Sequence, residues 1–102
     1  MKKYNKLVRD KIPEIIEADG KLCATHILSE EEYIAALEAK LNEEVAEYQT
    51  DKNLEEMADV LEVLQSICVE RGYTLEELEA VRAKKAAEKG GFAEKIFLEY
   101  VE

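Results

Sequence analysis

The chain has 102 residues, enough for one domain (residues 1–102) with a core only just large enough to fold alone. Its net charge of −10 argues against nucleic-acid backbones and anionic membranes as partners. No apolar run approaches the roughly 20 residues of a membrane span, and the opening carries no signal-peptide pattern. The expected compartment is a reducing cytoplasm, with Cys23 and Cys68 as buried free thiols, since their spacing fits no metal motif.

In chain order, Met1–Asn5 is polar and reads as extended. Leu7, Val8, Ile12, Ile15 and Ile16 recur at helical spacing, so Leu7–Ala18 is expected to be helical and to end near Gly20. Pro13 disfavours helical geometry at Ile12, which leaves a kink, or a helix starting only around Ile12, as the alternatives. Lys6, Arg9 and Lys11 form a basic cluster in an acidic protein, readable either as surface solvation or as a phosphate contact. Lys21–Leu28 has β-branched residues and partial alternation, the pattern of an extended segment or short strand.

Ser29 followed by Glu30, Glu31 and Glu32 is a helix start, a cap hydroxyl with acids in the first turn. The spacing predicts amphipathic helices over Ser29–Gln49 and Leu54–Arg71, joined by the polar break Thr50–Asn53. So short a connection makes them antiparallel neighbours. Arg71-Gly72 closes the second of these helices. Thr74 caps a fourth helix, with Glu77 three residues on as a capping box. That helix ends in Arg82, Lys84, Lys85 and Lys89, followed by Gly90-Gly91. Cations at a helix C-terminus are ordinary partners of its dipole, and the glycine pair also allows backbone to approach a ligand. Phe92–Val101 alternates apart from Phe97, so it is a candidate strand whose partner would be Lys21–Leu28.

The two central helices carry the chemistry. Glu44 and Glu47 precede the break, Glu56 and Asp59 follow it, and each member of one pair has a counterpart equidistant from the midpoint. In an antiparallel hairpin the four carboxylates stand in two level rows. At about 100° per residue, Glu44 falls inside the stripe Leu37, Leu41, Val45 and Tyr48, with Glu47 at its rim beside Lys40. Glu56 lies within a very wide apolar arc formed by Leu54, Met57, Val60, Leu61, Val63, Leu64, Ile67 and Cys68, and Asp59 lies at its edge. With 24 acids in 102 residues, i, i+3 acid pairs recur elsewhere, as at Glu76/Glu79, and most are solvated faces. Placement inside an apolar face on two facing arms sets this group apart. Half-buried carboxylates are costly and repel one another, and too few basic residues occupy matching positions to neutralise them. A divalent cation would do so, and oxygen-only donors suit Mg²⁺ or Mn²⁺, not zinc. His26, the single histidine, excludes the Glu-x-x-His pairs of a di-iron bundle.

The segments YNKLVRDKIPEII, KLNEEVAEY, LEEMADVLEVLQSI and KGGFAEKIFLEY, in this order, resemble MazG-like proteins. These belong to the all-α nucleoside triphosphate pyrophosphohydrolases, which include the phosphoribosyl-ATP pyrophosphohydrolases. The resemblance implies an all-α four-helix bundle, with a small peripheral β-hairpin as the one open addition. The family pattern Glu-x-x-Glu, loop, Glu-x-x-Asp falls on Glu44, Glu47, Glu56 and Asp59, which by this likeness coordinate Mg²⁺. The implied reaction cleaves a nucleoside triphosphate between the α and β phosphates, giving monophosphate and pyrophosphate. Lys6, Arg9, Arg82, Lys85 and Lys89 are then the candidate phosphate ligands, and Glu43 or Glu47 the candidate proton acceptor. Lys89 stands where relatives often have arginine, and the second repeat of long MazG proteins is absent. The alternatives are a narrower substrate, phosphoribosyl-ATP or a damaged nucleotide, or a non-catalytic helical module that binds a protein through its apolar arc. The width of that arc also predicts a homodimer or higher homo-oligomer.

Overall fold

A computed structural model describes residues 1–102 and contains four helices and no strand: α1 Ile12–Ala18, α2 Glu30–Asp51, α3 Leu54–Glu70 and α4 Leu75–Lys89. The all-α, four-helix expectation stands. Lys21–Leu28 and Phe92–Val101 do not pair into a β-hairpin. Leu22, Ile27, Phe92 and Phe97 are almost fully exposed, with no sheet beneath them to reward alternation. No helix is long and apolar enough to cross a membrane.

Helix ends follow local chemistry. Pro13 sits in the first turn of α1, where its missing donor costs nothing, so the helix starts at Ile12 and Leu7–Lys11 stays outside it. Gly20, at φ 80°, ends α1 by donating to the Glu17 carbonyl at 3.0 Å while Lys21 donates to that of Ile16 at 3.2 Å. Gly72 ends α3 in the same double-bonded manner, with Tyr73 N–H reaching the Cys68 carbonyl at 3.0 Å. Ser29 and Glu32 form a reciprocal capping box on α2. On α4, Thr74 caps the Glu77 N–H at 3.0 Å, but the Glu77 carboxylate takes the Thr74 hydroxyl at 3.2 Å instead of the cap's backbone N–H.

The break between α2 and α3 is shorter than expected. Helix α2 runs on through Asp51, leaving Lys52 in a left-handed conformation at φ 56° and Asn53 as the cap of α3. Lys52 N–H closes α2 on the Tyr48 carbonyl at 2.7 Å. Its ammonium lies over the Tyr48 ring, 5.5 Å from the centroid.

Packing is concentrated in the α2/α3 hairpin. Leu37 of α2 meets Val63 and Ile67 of α3, and Leu7, Tyr33, Ile34 and Leu41 close around them. The expected α2 stripe is therefore shifted: Val45 is exposed, and Tyr33 and Ile34 take part instead. The wide arc of α3 is split. Val63, Ile67 and Cys68 are buried against the protomer, whereas Leu54, Met57, Leu61 and Leu64, one turn-spaced row, face solvent. Cys68 is a buried free thiol as expected; Cys23 is free but exposed, like Leu22 and Ile27 of the same segment.

Helix α4 touches only α3, and α1 packs on no other helix. The molecule is consequently elongated, 61 × 31 × 24 Å, with a radius of gyration of 18.1 Å. A compact chain of this length would have about 13 Å.

Candidate metal centre

Asn53 starts the site. Its side-chain oxygen accepts the Glu56 backbone N–H at 2.9 Å, so the cap that begins α3 fixes the third residue of that helix beside the end of α2. Asp59 follows one turn on, and Glu44 faces both from α2. Carboxylate oxygens of Glu44, Glu56 and Asp59 lie within 4.8 Å of one another. Glu44 also belongs to a second trio with Glu43 and Glu47, again within 4.8 Å. The site thus comprises five acids with Glu44 shared. Glu47 remains on the α2 side and exposed instead of joining the three that span the hairpin.

Burial makes this grouping costly. Glu44 is 8% exposed, the one charged residue among the buried set. Its Oε2 and the Oε2 of Glu56 are shut off from solvent and have no hydrogen-bond partner. Burial pushes the Glu44 carboxyl above its ordinary value of 4.5, and the adjacent Glu47 carboxylate, which can share its proton, pushes the same way. Lys40 opposes this, and Asp59 adds to it. The Glu56 carboxyl is raised for the same first reason, desolvation, and then by Glu47 and Asp59.

Three cations answer the five acids. Lys40, with most of its side chain covered, lies 3.5 Å from Glu43 and 3.5 Å from Glu44. Lys6 reaches Glu43 at 3.9 Å, and Arg9 donates to Asp59 Oδ1 at 2.6 Å. With every group ionised, two negative charges remain, equal to one divalent cation. The donor set is all oxygen, two oxygens of its residues are orphaned, and no imidazole or thiolate is present, which is the chemistry of a site able to hold a hard cation.

The candidate phosphate ligands divide. Lys6 and Arg9 are at the acids. Arg82 instead forks onto Glu79 of its own helix, Nε at 2.8 Å and Nη2 at 2.6 Å, which holds the Glu79 carboxyl below and the Arg82 guanidinium above their ordinary values. Lys85 and Lys89 lie on the same helix, and neither forms an ion pair with the five acids. Within one protomer no α4 cation pairs with these acids. The role of Lys40 was legible from its i, i+4 spacing to Glu44; the approach of Lys6 to Glu43 and of Arg9 to Asp59, 37 and 50 positions away, had no local signal.

Comparisons add one relative. Over 41 residues the chain is 61% identical to an uncharacterized protein of Mycolicibacterium smegmatis. That stretch spans 40% of this chain and 42% of the relative. No family model matches the chain, and no solved structure is similar to it.

Proposed function

We propose that the protein is a divalent-metal-dependent nucleoside triphosphate pyrophosphohydrolase. The observation that carries the metal reading is the buried, partnerless oxygen on each of Glu44 and Glu56, two acids whose carboxylates come within 4.8 Å of one another and of Asp59 across the hairpin. The choice of reaction rests on the likeness of the four ordered segments to MazG-like proteins. Glu44, Glu56 and Asp59 would hold the ion, with Glu47 standing beside them on the α2 side. Bound there, Mg²⁺ or Mn²⁺ supplies charge to bind phosphate oxygens and lowers the pKa of a ligand water.

The chain's own groups supply the rest. Water adds to the α phosphorus, the bond from that phosphorus to the bridging oxygen breaks, and pyrophosphate leaves. Glu47 takes the water's proton: it has no cation partner, whereas Glu43 is held between Lys6 and Lys40. Lys6 and Arg9, on the segment that crosses the acid cluster, would meet the leaving phosphates. Arg82, Lys85 and Lys89 pair with none of the five acids in one copy and would serve as phosphate ligands for the site of another. A homo-oligomer is proposed on a separate ground, since a core of four apolar residues leaves Leu54, Met57, Leu61 and Leu64 bare. We place the protein in the cytoplasm, where a buried free thiol such as Cys68 persists.

The deciding assay incubates the protein with Mg²⁺ and a panel of triphosphates, phosphoribosyl-ATP and damaged nucleotides included. Monophosphate and pyrophosphate are the expected products. Diphosphate with orthophosphate would overturn the bond assignment. No turnover, with no metal-dependent thermal shift, would favour the non-catalytic module.

A further inference from the structure

The segment before α1 lies across the acid cluster, yet α1 packs on no helix. Leu7 against the core, Lys6 beside Glu43 at 3.9 Å, and Arg9 on Asp59 at 2.6 Å tie this N-terminal part to the hairpin. Arg9 is also the residue whose carbonyl accepts the Ile12 N–H at 3.0 Å in the turn leading into α1. Its guanidinium occupies Oδ1 of Asp59, a carboxylate of the trio that also includes the nine-tenths-buried Glu44, whose Oε2 has no partner. A cation seated among Glu44, Glu56 and Asp59 therefore competes with Arg9 for the same carboxylate.

We infer that Arg9 is an exchangeable counter-cation: metal entry at Glu44, Glu56 and Asp59 displaces it from Asp59 and loosens the chain around Arg9, which Leu7 still anchors to the hairpin. This rests on the metal reading above and adds a linkage to it. Whatever metal does to the Arg9–Asp59 latch, the latch does to metal affinity, by reciprocity. The Arg9–Asp59 pair is half-exposed and individually weak, so the exchange lies within reach of an ion of double charge. Once freed, the guanidinium carries its five donors to an incoming polyphosphate, for which a planar fork is suited. The latch thereby makes metal loading a precondition for presenting Arg9 to substrate.

The test uses the full chain and Mn²⁺ alone, without nucleotide. Binding is followed by calorimetry, and the latch by trypsin cleavage after Lys11. Removing the competing charge in Arg9→Gln should tighten Mn²⁺ binding by ~3–10-fold, the order expected for one partly exposed charge. Arg9→Lys, which keeps the charge, should stay near wild type. Mn²⁺ should accelerate cleavage after Lys11 in the wild type, and Arg9→Gln should be cleaved at the fast rate without metal. Unchanged or weaker Mn²⁺ binding in Arg9→Gln, alongside normal binding by the wild type, would overturn the exchange and leave the metal centre standing. No Mn²⁺ binding by either protein would overturn the metal centre and the exchange with it.

Discussion

Asn53 Oδ1 accepts the Glu56 N–H at 2.9 Å, so one side chain both starts α3 and sets the backbone of a candidate metal ligand. Stability and site geometry are joined at this bond. Asn53→Ala should cost about 1 kcal/mol of stability, the usual worth of a cap, and should also weaken Mg²⁺ affinity. Asn53→Ser and Asn53→Asp, which keep an acceptor, should recover both. Chemical denaturation and a metal titration on the same samples check this; recovery of stability without recovery of metal binding would separate the cap from the site.

Glu44→Gln and Asp59→Asn should abolish turnover with helix content intact. Each removes a charge from a group that repels itself, so the loss falls on metal affinity more than on folding. Glu76→Gln is the control: it shares the i, i+3 spacing but lies on α4, away from the acids. Glu79 serves less well, because it is the partner of Arg82. Steady-state rates at limiting Mg²⁺, with circular dichroism, decide the matter. Near wild-type activity in either site variant would remove that carboxylate from the centre.

The raised Glu44 carboxyl has a definite consequence for metal-free protein. A carboxyl whose folded-state pKa exceeds its unfolded value favours folding while protonated. That contribution is complete below the ordinary 4.5 and is lost as pH rises through the higher folded value. Glu32 and Glu79, whose carboxyls are lowered, act oppositely, losing their contribution as pH falls below 4.5. A comparison of wild type with Glu44→Gln cancels those terms. In chelator, the melting temperature of Glu44→Gln relative to wild type should climb as pH increases above 4.5. Saturating Mg²⁺ should reverse the order at neutral pH. A pH-independent difference between the two proteins would show that burial does not strain this carboxylate.

Oligomer formation is tested at the bare row of α3. The sequence alone would have targeted Val63 or Ile67, but both are buried against Leu37 within the protomer, and a charge there would unfold the chain. Leu61→Glu and Met57→Glu are the informative variants, since both side chains are about half exposed in one copy. Each should convert an assembly to monomers in sedimentation at low micromolar concentration without loss of helix. A wild type that is monomeric and active there would refute the assembly.

Helix existence, type and most helix ends were legible in the sequence because their causes are local. Ser29, Thr74, Gly20 and Gly72 each satisfy backbone groups within a few residues of themselves. The facing of Glu44 and Asp59 was legible too, since a tight connection and a constant rise leave an antiparallel hairpin little choice of register. The left-handed Lys52 and the capping Asn53 were not, because a four-residue polar stretch allows several turns and only packing of the arms selects one. Nor were the halves of the α3 arc, since periodicity measures how wide an apolar face is and says nothing of which part meets Leu37. The pairing of Arg9 with Asp59 belongs to the same class: the two residues are fifty positions apart, and only the path of the chain across the acids brings that charge to its partner.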